Sequence, residues 1–286
     1  VGEEEIVVGS AIRIGTSGYS FKDWVGSIYP QGLPQKEWLS YYSGEFDTVE
    51  INATYYRVPS SRMMDALTRK VNPEGFLFAV KVPAQMTHQR DKLDQTVEPF
   101  LTGIQPLVDA GCLATLLAQF PYSFKCNEES LQHLRSLREA IPAELPVHVE
   151  FRNQGWYSPD VYSFLEEQAL GFVNVDLPPL PRLPMDRTSL VTNEIAYFRF
   201  HGRNAAKWWH HETPGERYDY LYSEDELADW IPAISKARQG SRLTLLFFNN
   251  CHRGKSAINA VQLQRQLGLR DPADRAAWEA LERKLF

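Results

Sequence analysis

Short runs dense in aliphatic, β-branched and aromatic residues recur eight times along the chain, at 12–17, 48–52, 76–82, 114–120, 147–152, 172–176, 195–201 and 243–249. Runs of this length and apolarity predict strands covered on both faces, as in a parallel sheet. Helical periods fill the intervals. The segment 94–110 puts Val97, Phe100, Leu101, Ile104, Leu107 and Val108 on one face, with Gly111 as a stop. Ser158-Pro159 opens another helix, expected to end at Gly171. Ser223 and Glu226 have capping-box spacing ahead of Leu227, Trp230 and Ile231, and Pro232 is expected to kink that helix. A last regular helix is expected at 257–267, stopped by Gly268.

Strand and helix alternating eight times predict one TIM-type (β/α)8 barrel spanning 1–286. Three features depart from the repeat. Residues 1–10 read as a tail. The segment 177–194, with Pro178, Pro179, Pro181 and Pro184, reads as a long Pro-rich loop after strand 6, and 271–286 reads as an extra C-terminal helix.

Side chains alternate along a strand, one set facing the helices and the other the barrel interior. In the fifth run Val147, Val149 and Phe151 take the helix side, which turns His148, Glu150 and Arg152 inward. In the second, Val49 and Ile51 turn out, and Glu50 and Asn52 in. In the seventh, Ala196, Phe198 and Phe200 turn out, and Tyr197, Arg199 and His201 in. The same phase directs Lys81, Gln119, Asn174, Asp176 and Asn249 inward. Charges crowded near the strand ends cost several kcal/mol each (order of magnitude) unless they are paired or meet a ligand. The C-terminal ends are where such barrels work.

The charge balance, 30 Lys+Arg against 36 Asp+Glu, argues against a protein that coats duplex DNA by net charge. Three cysteines form no disulfide framework. The acidic start and the lack of a long apolar run imply neither a signal peptide nor a membrane span, so a cytoplasmic address is expected.

Several chemistries compete for the polar interior. Lys81, Arg152, Arg199 and Arg203, with basic loops beyond them, favour an anionic small-molecule ligand, because a guanidinium fork matches phosphate or carboxylate. Asn52, Gln119, Asn249, Asn250 and Trp156 complete the expected ligand site, with Glu50, Glu150, Asp176 and His201 as candidate acid/base groups. No cofactor is implied. The basic residues sharing the inward face argue against a bound metal. One alternative is a nucleic-acid or nucleotide binding module that stacks bases on loop aromatics such as Tyr55, Tyr56, Trp208 and Trp209. A second is a glycosidase-like enzyme using Glu50 and Glu150.

The segment Thr48-Val49-Glu50-Ile51-Asn52-Ala53-Thr54-Tyr55-Tyr56 resembles the domain of unknown function 72, or YecE-like, family. The likeness continues at Phe78-Ala79-Val80-Lys81 with Thr87-His88, Gln119-Phe120-Pro121 and Glu150-Phe151-Arg152. It is strongest at Phe198-Arg199-Phe200-His201-Gly202-Arg203 and Phe247-Phe248-Asn249-Asn250. It implies a TIM-type barrel and supplies no reaction, so no catalytic residue is carried over. Glu50, Asn52, Lys81, Gln119, Arg152, Arg199, His201, Arg203, Asn249 and Asn250 match its signature positions. Endonuclease IV and metal-dependent sugar isomerases are analogies at the level of fold.

Overall fold

The computed structural model describes residues 10–213 and 215–270. Among these, strands β1 (Ala11–Thr16), β2 (Thr48–Ile51), β3 (Leu77–Lys81), β4 (Leu113–Gln119), β5 (Val147–Glu150), β6 (Leu170–Asp176), β7 (Ile195–Phe200) and β8 (Leu243–Phe248) close into one parallel barrel in chain order. The closing pair, β1 with β8, is in register from Ala11↔Leu243 to Thr16↔Phe248. This is the expected TIM-type barrel. The expected tail, apart from Ser10, and the C-terminal helix lie outside the described residues.

The helices form where the periods and caps place them. Helix Leu93–Asp109 buries Val97, Phe100, Ile104 and Leu107 against the sheet. Its polypeptide turns away at Gly111, whose φ of +66° suits a residue without Cβ. Asn127 caps Glu128–Ala140, and Ser158 caps Pro159–Glu167. Each such cap contributes about 1 kcal/mol by satisfying an amide at the helix start. The capping box of Ser223 and Glu226 is formed. Pro232 does not kink a continuous helix: Glu224–Ala228 ends before it, and Pro232 sits in the first turn of Ile231–Gln239, where no amide is needed.

A glycine read as a helix stop has a different role. Gly171 lies inside β6, and the helix before it ends at Glu167. In register it faces His148 of β5. A Cβ there would come within 2.2 Å of the imidazole. His148 fills the lower barrel, bonded to Thr115 Oγ1 at 2.7 Å and to the Ile195 carbonyl at 3.0 Å, and only glycine leaves it room.

The phase of β6 also departs from expectation. Val173 pairs with Tyr197 and Val175 with Arg199, so the valines turn inward and Asn174 and Asp176 face the helix layer. Asn174 Nδ2 donates to the Leu190 carbonyl and its Oδ1 accepts from the Leu190 amide, both at 2.9 Å. It pins the Pro-rich loop, which has no helix. An apolar strand can be inverted without changing its hydrophobicity, and here the need to anchor this long loop goes with the polar face turned out.

The interior is therefore layered. Val173, Ile195, Leu243, Leu245 and Leu117 pack the lower and middle barrel. Glu50, Lys81, Gln119, Glu150, Arg152, Arg199, His201 and Asn249 crowd the C-terminal end. Among the described residues, no helix is long and apolar enough to cross a membrane.

Candidate functional site

Arg199 occupies the centre of the polar layer, 2% exposed. Its Nε and Nη2 donate to Glu50 Oε2 and Oε1 at 2.8 and 2.6 Å, while Nη1 donates to Glu150 Oε2. Glu50 is further held by the Tyr197 hydroxyl at 2.6 Å and the Asn52 amide at 2.9 Å. Both its oxygens thus accept twice. Arg152 approaches Glu150 from the other side, Nε to Oε1 2.5 Å, a close ion pair whose N–H is not aligned on the oxygen.

Two carboxylates and two guanidiniums leave this buried cluster with no net charge. Burial opposes ionisation of Glu150, but Arg152 and Arg199 outweigh it and hold the carboxyl well below the usual range. Burial likewise opposes the charge on Arg199, and Glu150 and Glu50 outweigh it.

His201 lies beside Glu150, Nε2 to Oε1 3.2 Å, and its Nδ1 faces the Asn249 amide at 2.9 Å. Burial and the neighbouring Arg152 push its pKa down to about 3, so the ring is neutral. The amide donor at Nδ1 then requires the proton on Nε2.

Above this layer opens a pocket of about 620 Å³. Glu50, Glu150 and His201 do not line it: they are fully covered. The faces presented upward are those of Asn52, Lys81, Gln119, Arg152, Arg199 and Asn249, with Tyr55, Tyr56, Arg217 and Tyr218 from the loops. Glu50 and Glu150 hold the guanidiniums from below instead of flanking a bond within the pocket.

Lys81 differs from the other cations. It makes no ion pair among the described residues; its Nζ donates to Gln119 Oε1 at 2.7 Å and lies 4.4 Å from the centre of the Tyr55 ring. The side chain is half-buried and lines the pocket. Burial and the nearby Arg199 push its pKa down to about 7, against the smaller pull of Glu150 and Glu50. The amine is therefore half-protonated near neutrality.

Four expected site residues lie elsewhere. Asp176 faces outward, accepting from Tyr222 Oη at 2.8 Å, Trp230 Nε1 at 2.7 Å and Arg203 Nη2 at 2.6 Å. Arg203 is spent on that pair and on Glu226 Oε1 at 3.0 Å, in a separate cleft of about 410 Å³ behind the strands. Asn250 ties the Tyr220 carbonyl to Asn259, at 2.9 and 2.8 Å. Trp156 is sealed in the outer core, stacked 4.2 Å from Phe151, with its indole N–H on the Phe124 carbonyl.

The pocket is also lined by Arg217 and Cys251, neither of which was among the expected site residues. Arg217, from the loop after β7, lies over the Trp208 ring at 5.7 Å and contacts His211 Nε2 at 2.9 Å. Its place in a run of His, Lys and Arg was visible; its reach to the pocket depends on the loop fold. Cys251 lines the pocket too, but burial pushes its thiol up to about 12, so it stays neutral. Among the described residues, no group of three or more His, Cys, Asp or Glu is placed to hold a metal ion.

A family model described as protein of unknown function DUF72 matches residues 13–281. The UPF0759 protein YunF of Bacillus subtilis is 31% identical over 271 residues, covering 88% of this chain and 93% of that protein. The crystal structure of a DUF72 family protein from Thermotoga maritima has a TM-score of 0.83 at 40% identity, over 90% of this chain and 99% of that one. One from Enterococcus faecalis has a TM-score of 0.81 at 29% identity, over 91% and 96%.

Proposed function

The chain belongs to the DUF72 family, for which no reaction is established, and from that premise we propose that it is an enzyme acting on a phosphorylated or otherwise anionic small molecule at the C-terminal mouth of the barrel. The observation that carries this reading is Lys81: a lysine without a carboxylate partner, opening into a pocket whose floor charges are already balanced. Any positive charge available to a ligand comes from Lys81 and Arg217, with the outer edge of Arg152 beside them. A bound anion meets Lys81 and Arg217, whose side-chain partners among the described residues are neutral.

Acid/base work falls to Lys81. A proton donor or acceptor is most effective with a pKa near the working pH, and Lys81 has it. Glu150 stays ionised and His201 stays neutral across the physiological range, so neither exchanges a proton readily. Asn52 supports a polyhydroxylated or otherwise donor-bearing ligand, because its Oδ1 is buried without a hydrogen-bond partner beside Glu50.

A second reading rests on Tyr56, 83% exposed at the pocket rim. A flat exposed ring there would stack a base, which favours a nucleotide among the anionic ligands. Thermal shift with inorganic phosphate, sugar phosphates, nucleotides and short single-stranded oligonucleotides tests both. Stabilisation should grow with ligand concentration over its dissociation constant and weaken in Arg217→Gln. No shift from any anion, in a folded protein, rejects the proposal.

A further inference from the structure

We propose that Lys81 is a nucleophile that captures an aldehyde or ketone carbon of its substrate as an imine, making the substrate class an anionic carbonyl compound. This rests on the anionic-ligand reading above and adds covalent chemistry to it. The case begins with what Lys81 lacks. Glu50 and Glu150, the acids nearest to it in the polar layer, are committed to Arg199 and Arg152, and Lys81 is left with one neutral acceptor. That acceptor is itself fixed: Gln119 donates its amide N–H to the Phe120 carbonyl at 2.7 Å, which turns Oε1 toward the amine. A neutral amine needs only one such acceptor and keeps its lone pair for another atom. An ammonium would present three N–H groups and find one partner.

The surroundings select the same form. Arg199 and Arg152 lie in the same layer and disfavour another cation, and burial does so more strongly. The Tyr55 ring at 4.4 Å favours the charged form and works against this selection. His88 packs edge-on to Tyr55, with its pKa down to about 4 from burial and the charge on Lys81, so its ring is neutral and supplies Lys81 with no counter-ion. A desolvated lysine among cations is the arrangement that activates an amine toward carbonyl carbon.

The neighbours fit the intermediate. Ile51 of β2 is paired with Val80 of β3, so Asn52 and Lys81 stand side by side at the strand ends. The unpartnered Asn52 Oδ1 can accept the hydroxyl formed when the amine adds. The steps balance with one net proton taken up from water in the pocket. The nitrogen lone pair forms the C–N bond as the carbonyl π pair moves to oxygen, which takes up a proton. Nitrogen then gives up its proton, the C–O bond breaks, C=N forms, and the oxygen leaves as water with a second proton. The protonated imine is a cation, and the ligand's own anionic group, held by Arg217 and Arg152, offsets it.

The test is reductive trapping on the full chain. The protein is incubated at pH 7 with cyanoborohydride and, separately, pyruvate, glyoxylate, dihydroxyacetone phosphate or uncharged glyceraldehyde, and labelled peptides are mapped by mass spectrometry. The proposal expects saturable labelling of Lys81 by at least one anionic carbonyl, roughly tenfold or more faster than at any surface lysine, whose amine is almost fully protonated at that pH. The rate should rise with pH through a midpoint of about 7. Inorganic phosphate should protect Lys81. Lys81→Arg, folded by circular dichroism, should show only background labelling. Labelling scattered over lysines according to exposure overturns the imine. If phosphate raises the melting temperature yet Lys81 stays unlabelled by every carbonyl, the imine fails and the anion site stands. If glyceraldehyde labels Lys81 as fast as the anionic probes and phosphate gives no protection, the nucleophile stands and the anion reading fails.

Discussion

Arg199 grips Glu50 through two parallel N–H donors, 2.8 and 2.6 Å long, across the barrel from β7 to β2. A third donor of the same guanidinium reaches Glu150 on β5. One side chain thus ties three strands in the layer directly beneath the pocket. A ligand held above Lys81 and Arg152 rests on a floor whose geometry is set by this bridge, not by the ligand.

Replacing Arg199 should test stability before it tests binding. Arg199→Met leaves two buried carboxylates facing each other with one guanidinium fewer, and should cost about 3–5 kcal/mol. Urea unfolding measures it. A loss under about 1 kcal/mol would mean that water or local rearrangement replaces the bridge.

Lys81→Met should behave oppositely. It removes a cation that burial disfavours, so the barrel should stay folded and be no less stable than wild type at pH 6. Anion-induced thermal shifts should shrink at least several-fold. A variant that unfolds at room temperature would contradict the assignment of Lys81 to the ligand and not to the scaffold.

Anion affinity should depend on pH with a definite sign. Lys81 is protonated below about pH 7 and neutral above it, so affinity should fall as pH rises through that value. Titrations of phosphate between pH 6 and 9, corrected for its own ionisation, give the curve, and Lys81→Met should flatten it. The stability of the unliganded protein should move the other way. The unfolded chain keeps its lysine protonated to a higher pH, so stability contributed by this group rises between about pH 7 and the unperturbed value.

Acid should unfold the barrel through the polar layer. His201 has a folded pKa of about 3 and His148 of about 4, both lowered chiefly by burial, so each loses stability as pH falls below its unfolded value near 6.5. Glu150, held ionised, adds a loss as pH falls below its ordinary carboxylate range. Unfolding free energy should therefore drop by several kcal/mol between pH 6.5 and 3 (order of magnitude). His201→Asn should shallow the slope, and an unchanged slope would remove His201 from this account.

Gly171→Ala should be destabilising far beyond its conservative appearance. The new methyl would sit 2.2 Å from the His148 ring, which is fully buried and bonded on both nitrogens. Displacing the ring or the strand should cost about 1–3 kcal/mol or more. Thermal unfolding of Gly171→Ala alone and combined with His148→Ala should reveal coupling; simple additivity of the two losses would refute the packing explanation.

The sequence by itself determined the barrel and most of its polar layer. In the second, fifth and seventh runs one face is wholly apolar and the other carries the charged residues of the strand ends, and one face of a strand cannot be exchanged for the other when burial separates them so sharply. That places Glu50, Glu150, Arg152, Arg199 and His201 inside without reference to any contact. In β6 the alternation carries less information. Gly171, Val173 and Val175 occupy one face and Leu170, Phe172, Asn174 and Asp176 the other, and either could fill a barrel, so the sign depended on what the polar residues met outside: the Leu190 backbone for Asn174, and Tyr222, Trp230 and Arg203 for Asp176. Roles within the layer were decided only by the tertiary structure, because pairing is a property of distances between strands remote in sequence. Glu50 and Lys81 were equally inward and equally charged on paper. Geometry gives Glu50 four donors and leaves Lys81 with one amide oxygen, and that difference makes one residue part of the floor and leaves the other, half-buried, without a counter-ion at the pocket.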